Sequence, residues 1–318
     1  MRYLLLSLIG FLFLTISHGA TQAQSPSTIG QSSMPKWRDA PAYAPELAKN
    51  VLRRSVFFMP MFGAVYPEKF EMLLEKLPPT NLRGVVIYSH GCGGQWGWET
   101  GVSQFFYRLG FAVITPEFPS RDGNKLGCPG TNAEEALRGG GIRAKEGIYT
   151  AMNPARLAAR ATDVITVVDW LKARTRLPIL IGGHSEGCRT TYSLYLQDPQ
   201  VVGGICVKQG LQTTYAHTWR WNTEVPMWQS LEEFDPWVVF PPGTKVQDVS
   251  FGPKFRDVPQ NHTLVIVPGS THNPLNHESE RASLTAWLDK VVPKAPGFSL
   301  SGFDYEAALP DLQGRLRR

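Results

Sequence analysis

An apolar run, Leu177-Pro178-Ile179-Leu180-Ile181, leads into Gly183-His184-Ser185-Glu186-Gly187, and a helical pattern through Tyr192 and Leu196 follows until Asp198-Pro199 stops it. Few backbone paths satisfy that order. A buried strand must end in a turn so tight that neighbouring chain passes where side chains would stand, which glycines two residues either side of Ser185 permit. Such a turn holds its serine in a strained conformation above the end of a sheet. With 30 glycines in 318 residues the five-residue pattern is a modest signal by itself, and a turn that merely starts a helix is its bland reading. Its position between strand and helix gives it weight.

The surrounding periodicity agrees. Val85-Val86-Ile87-Tyr88 reads as a buried strand, and 98–109 as a helix with Val102, Phe105, Phe106 and Leu109 on one stripe and Gly110 as its stop. Phe111 to Thr115 is the next strand. At Asn153-Pro154 a further helix begins, because Asn caps exposed amides and Pro fits a first turn without losing a needed donor. Its buried stripe is Leu157, Ala161, Val164, Val168 and Leu171, with Arg160 and Asp163 on a more polar face. Val201 to Val207 and Thr263 to Val267 are buried strands, and Val225 to Leu231 is a less uniformly apolar one. The last helix, Glu280 to Val292, turns Leu284, Trp287, Leu288 and Val291 inward. Phe70 to Leu77 is expected to add an antiparallel edge strand. Alternating strands and helices predict an α/β fold with a mostly parallel central sheet covered on both faces. Two long stretches, 119–150 and 211–225, read as lid or binding-loop insertions, the first with a hinge at Gly139-Gly140-Gly141.

The ends read differently. Met1-Arg2 followed by an apolar stretch from Tyr3 to Ile16 and the small residues Gly19-Ala20-Thr21-Gln22-Ala23 has the order of a secretory signal peptide cut after Ala23. Its apolar part is short of the ~20 residues a membrane span needs. The expected organisation is a signal peptide over 1–23, a flexible leader rich in Ser, Gln and Pro over 24–38, one domain over 39–295 and an extension over 296–318. Export implies a periplasmic or secreted protein with no stable membrane insertion after cleavage. The net charge of +5 is scattered, apart from Arg315-Leu316-Arg317-Arg318, which reads as a solvated tail rather than a nucleic-acid contact. Four cysteines, Cys92, Cys128, Cys188 and Cys206, lack the short paired spacing of a zinc site. Export permits disulfides, and Cys92 and Cys128 both fall in predicted loops where they could pair.

A serine hydroxyl at its ordinary acidity is a poor nucleophile, so Ser185 needs a base within reach and a carboxylate to orient that base. In a sheet with this turn the chain order is serine, acid, histidine. His272 follows the last strand and is the first choice of base, with His277 as runner-up; His262 precedes that strand and falls at the wrong edge. Asp235 is the first choice of acid, with Glu233 and Asp257 open. A developing oxyanion needs preorganised amides. The backbone amide of Glu186 supplies one, and that of Cys92, within Ser89-His90-Gly91-Cys92-Gly93-Gly94, the second, with His90 holding the loop. Trp96, Trp98, Trp219, Trp221 and Trp237 fall in loops where they either line an acyl pocket or simply pack.

Taken together, these residues resemble the dienelactone-hydrolase-like branch of the α/β-hydrolases over 70–292. The His90-Gly91-Cys92-Gly93-Gly94 loop, the Gly110-Phe111-Ala112-Val113 strand entry, the Arg160 and Asp163 helix, the Ser185 turn and the Gly269 to His272 ending occur in that family's order. One departure matters: dienelactone hydrolases use a cysteine nucleophile, whereas this turn carries Ser185 and Cys188 comes three residues too late. The resemblance therefore implies an α/β-hydrolase fold and acyl transfer on a small-molecule carboxylic ester, with no metal or organic cofactor. A peptidase or acyltransferase with the same triad, or a binding protein that has lost catalysis, are the alternative readings.

Overall fold

The computed structural model describes residues 45–77, 80–91, 94, 97–116, 154–193, 200–208, 225–235, 245–246 and 261–300, all within one compact unit spanning Tyr43–Arg318. The elements in order are α1 (Pro45–Arg54), β1 (Val56–Met59), β2 (Gly63–Val65), α2 (Pro67–Lys76), β3 (Gly84–Ser89), α3 (Gly97–Arg108) and β4 (Phe111–Thr115). After these come α4 (Pro154–Lys172), β5 (Ile179–His184), α5 (Glu186–Ser193), β6 (Val201–Val207), β7 (Met227–Glu232), β8 (His262–Val267) and α6 (Glu278–Val291). The segments expected to be a signal peptide and a leader, and the 119–150 insertion, lie outside the described residues, as does all but the last residue of the 211–225 insertion.

The strands form one sheet in the order β2-β1-β4-β3-β5-β6-β7-β8. From β4 to β8 every neighbour is parallel, while β1 runs antiparallel to both β2 and β4. Parallel strands need covering on both faces, and β3, β4 and β5 are accordingly buried along their whole length. Strand order reverses between β3 and β5: β3 leads on to β4 at one side, and β5 to β6 at the other. Loops leaving two such strands diverge, opening a crevice at their carboxyl ends where ligands bind in open α/β sheets.

Tyr88, Phe106, Phe111, Trp228, Leu284 and Leu288 share one core cluster and are essentially without solvent contact. Side chains of this size each contribute about 2–3 kcal/mol when fully buried. Arg83 fastens one edge of that core. Its guanidinium donates to the carbonyls of Leu288 and Val292, which end α6, and to that of Leu109 beyond α3, while pairing with Asp289 at 2.8 Å. The Val292 carbonyl, just past the helix terminus, thus finds a donor, and the Leu288 carbonyl, which already accepts the Val292 amide, gains a second one.

The residues from Phe70 to Leu77 are not an edge strand. Pro67 opens a helix there, and Phe70, Leu73 and Leu74, spaced three and four apart, form its buried side, with Phe70 against Phe57 and Trp170. The antiparallel edge is built instead by the short β1 and β2. Arg160 and Asp163 are likewise not on a polar face: they are 1% and 3% exposed.

Candidate active site

Ser185 sits between β5 and α5 with φ at +53°, a left-handed conformation rare for a residue bearing a Cβ. Its amide donates to the Val207 carbonyl at 2.9 Å and its carbonyl accepts from the Cys188 amide at 3.0 Å, so both neighbouring strand and following helix hold the turn. A Cβ on Gly187 would overlap the backbone of Ser89, and one on Gly183 that of Gly187. The two glycines let the end of β3 and the turn after β5 touch. Strain stored in a well-determined turn is a feature of functional positions.

His272 follows β8 and Asp235 follows β7. Their side chains meet, His272 Nδ1 to Asp235 Oδ2 at 2.7 Å, with Asp235 fully buried and His272 12% exposed. An aspartate in that place fixes the imidazole with Nδ1 protonated and leaves Nε2 to work as a base. His184, next to the serine, binds the histidine from the other side: its Nε2 donates to the His272 carbonyl at 2.8 Å, and the two rings lie 4.9 Å apart. Burial, then the nearby His272, hold His184 well below the usual imidazole range, so it is the neutral tautomer with a single ring proton. Among the described residues no hydrogen bond joins Ser185 Oγ to His272 Nε2; the contact between turn and base loop runs through His184. Such bonds are often long without substrate.

The alternatives fall elsewhere. Glu233 pairs with Lys245 at 2.6 Å, and His277 Nε2 lies 3.3 Å from Glu232. His262 opens β8, at the opposite end of that strand from His272, and burial lowers its pKa to about 4. Asp257 lies outside the described residues, as does Cys92, and the side chains of Trp96, Trp98, Trp219, Trp221 and Trp237 do so too.

Glu186 is the first residue of α5, and the leading amides of a helix have no acceptor within it. Opposite it, the loop after β3 begins with His90 and Gly91, where His90 Nδ1 meets the Gly91 carbonyl at 2.6 Å inside the protein. Arg160, from α4, spans the two. It pairs with Glu186 Oε2 at 3.2 Å and donates to the His90 carbonyl. One guanidinium thus joins the residue after Ser185 to the loop that follows β3.

Two further features escaped the sequence. Cys188 and Cys206 form a disulfide between α5 and β6, Cα to Cα 4.8 Å, so Cys188 is neither a spare nucleophile nor free, and Cys92 and Cys128 lie outside the described residues. Beneath the base loop, Lys208, Glu232 and Glu280 are wholly buried, with Lys208 Nζ 3.2 Å from each carboxylate. Lys208 directly follows a buried seven-residue strand and Glu232 ends another. Charged residues at the carboxyl ends of parallel strands were the available signal. Among the described residues no three His, Cys, Asp or Glu side chains converge as a metal site would need.

A mostly parallel sheet, a left-handed serine at the turn after β5, an acid after β7 and a histidine after β8 are the arrangement of the α/β-hydrolase fold. No family model matches this sequence, and no curated protein does. Solved structures similar in fold include a cold-adapted esterase from an Arctic intertidal metagenomic library, at 15% identity over 67% of this chain and 84% of that one, with a TM-score of 0.46. An esterase from Pyrococcus furiosus is 16% identical over 67% and 85%, TM-score 0.44. A Klebsiella pneumoniae chain assigned as a dienelactone hydrolase is 15% identical over 69% and 90%, TM-score 0.45. At these scores the likeness carries no chemistry across.

Proposed function

We propose that the protein is an exported serine carboxylesterase in which Ser185, His272 and Asp235 act together on a small-molecule ester. The single observation that carries the reading is the 2.7 Å bond between His272 and a buried Asp235, held beside the Ser185 turn by His184. Ser185 Oγ attacks the ester carbonyl carbon as His272 Nε2 takes its proton. The carbonyl electron pair moves onto oxygen, where the Glu186 amide and, from the loop after β3, the Cys92 amide receive it. Collapse expels the alcohol, which leaves with the proton from His272. Water then enters, gives a proton to His272 and attacks the acyl carbon, and the acid departs as Ser185 regains its hydrogen. This route asks for no cofactor. Export rests on the leading apolar segment and gains support from the buried Cys188–Cys206 disulfide, a bond characteristic of oxidising compartments. Among the described residues no helix is long and apolar enough to cross a membrane.

The test is turnover of nitrophenyl esters graded by acyl length beside aminoacyl amides, by the wild type and by Ser185→Ala. Ester cleavage abolished by Ser185→Ala is expected. Cleavage of the amides alone would replace the esterase reading by the peptidase one, and full ester turnover by Ser185→Ala would end both.

A further inference from the structure

Buried beneath the proposed base is a second carboxylate with a different job. Glu232 stands three residues before Asp235 and is fully buried. Its Oε1 accepts from the Thr271 hydroxyl at 2.7 Å, and its Oε2 from the Thr271 amide. Thr271 is the residue immediately before His272. Asp235 therefore grips the imidazole ring, while Glu232 grips the backbone that carries it.

The charge on Glu232 is balanced from the nucleophile side. Lys208 Nζ lies 3.2 Å from Glu232 Oε1 and 3.2 Å from Glu280 Oε2, and all three side chains have no solvent exposure. Lys208 follows Val207, whose carbonyl receives the Ser185 amide, and its own amide bonds the Ser230 carbonyl on β7 at 2.8 Å. Its backbone is left-handed, with φ at +54°. One ionic network thus connects the strand that holds the serine turn, the strand end that supplies the acid, helix α6 and the base loop. His277 Nε2, at 3.3 Å from Glu232 Oε1, is its part-exposed member.

A network of this kind costs desolvation that well-packed apolar side chains would avoid, so its benefit lies in geometry. An ionised carboxylate can accept the hydroxyl and the amide of one residue together; a neutral amide in its place has one acceptor oxygen. Burial by itself would raise the Glu232 carboxyl, but the bonds from Thr271 and the charge of Lys208 outweigh it and hold it below the usual range.

We propose that Glu232 is a positioning residue for the base, fixing His272 through Thr271, with Lys208 as the buried cation paired to its carboxylate. The proposal rests on the reading of His272 as the base. Displacing a reacting group by about 1 Å costs roughly 100-fold in rate.

The experiment measures kcat and KM separately on a nitrophenyl ester for Glu232→Gln, Thr271→Val and their combination, with thermal melts alongside. Glu232→Gln is expected to lower kcat by about 10–100-fold with KM within about twofold. Thr271→Val should cost less, and should cost nothing further once Glu232 is Gln. The low-field proton resonance of the His272–Asp235 bond should broaden or move in Glu232→Gln, which a role in stability alone would not produce. Where Glu232→Gln does not fold, the charge-free variant K208M/E232Q/E280Q leaves no buried ion without a counter-charge and carries the same expected loss of kcat. A folded variant of either kind with wild-type kcat overturns the proposal, as does a Thr271→Val loss undiminished in the Glu232→Gln background. Ser185→Ala serves as the control: ester turnover persisting there overturns the proposal by removing the base it depends on, and marks the failure as that of the esterase reading.

Discussion

Replacing Arg160 by Met removes a guanidinium that is 1% exposed and touches both sides of the proposed oxyanion site, Glu186 Oε2 at 3.2 Å and the His90 carbonyl. Two costs of different kind follow. Taking one partner from a buried ion pair destabilises a protein by about 3–5 kcal/mol, because the remaining charge stays desolvated. Losing the geometry of one oxyanion donor raises the barrier by about 3 kcal/mol, or roughly 100-fold in kcat. The second substitution Glu186→Gln separates them, since it removes the carboxylate charge that Arg160 faces and keeps the backbone amide. Arg160→Met should melt earlier and turn over roughly 100-fold more slowly; R160M/E186Q should regain most of the stability and none of the rate. Steady-state kinetics and differential scanning calorimetry on the three proteins read both quantities. Wild-type kcat in Arg160→Met, or kcat returning with stability in the double variant, would rule out this role for Arg160.

Asp235→Asn should leave the fold intact and lower kcat by roughly 1,000- to 10,000-fold by stabilising the wrong imidazole tautomer, whereas His277→Ala should lose far less; kinetics on both check the choice of base. Removing the Cys188–Cys206 disulfide by C188A/C206A should cost about 3 kcal/mol of stability, and reductant should lower the melting temperature of the wild type but not of the variant. His262 titrates near 6.5 when unfolded and near about 4 when folded, so between those values the unfolded chain binds the extra proton. Stability is therefore lost as pH falls from 6.5 toward 4, by about 2–3 kcal/mol from this residue, and His262→Gln should flatten that part of a urea-denaturation pH series.

Local pattern revealed the parallel strands, the serine turn and the last helix, because buried strands followed by glycine turns and helices with an apolar stripe leave marks within a dozen residues. Phe70 to Leu77 failed because a run of mixed apolar and charged residues fits both periods, and the Pro67 that decides for a helix lies just outside it. Arg160 failed for a different reason. A charged residue in a helix is read as solvated, whereas partners as distant in sequence as Glu186 and His90 help to make its burial tolerable. The same holds for Lys208 and Glu232, whose partners Glu280 and Thr271 come from an element and a loop that only the sheet brings alongside. Asp235 was separable from Glu233 only in three dimensions, where one faces His272 and the other Lys245. Cysteine pairing was equally closed to the sequence, since it depends on which strand lies beside α5.

The proposed chemistry requires that His272 activate Ser185. Treating the protein with a fluorophosphonate and locating the adduct by mass spectrometry tests that directly. Modification of Ser185 alone, falling to background in His272→Ala while that variant keeps its melting profile, is the predicted result. An adduct elsewhere, or Ser185 labelled at an unchanged rate without the imidazole, would contradict it.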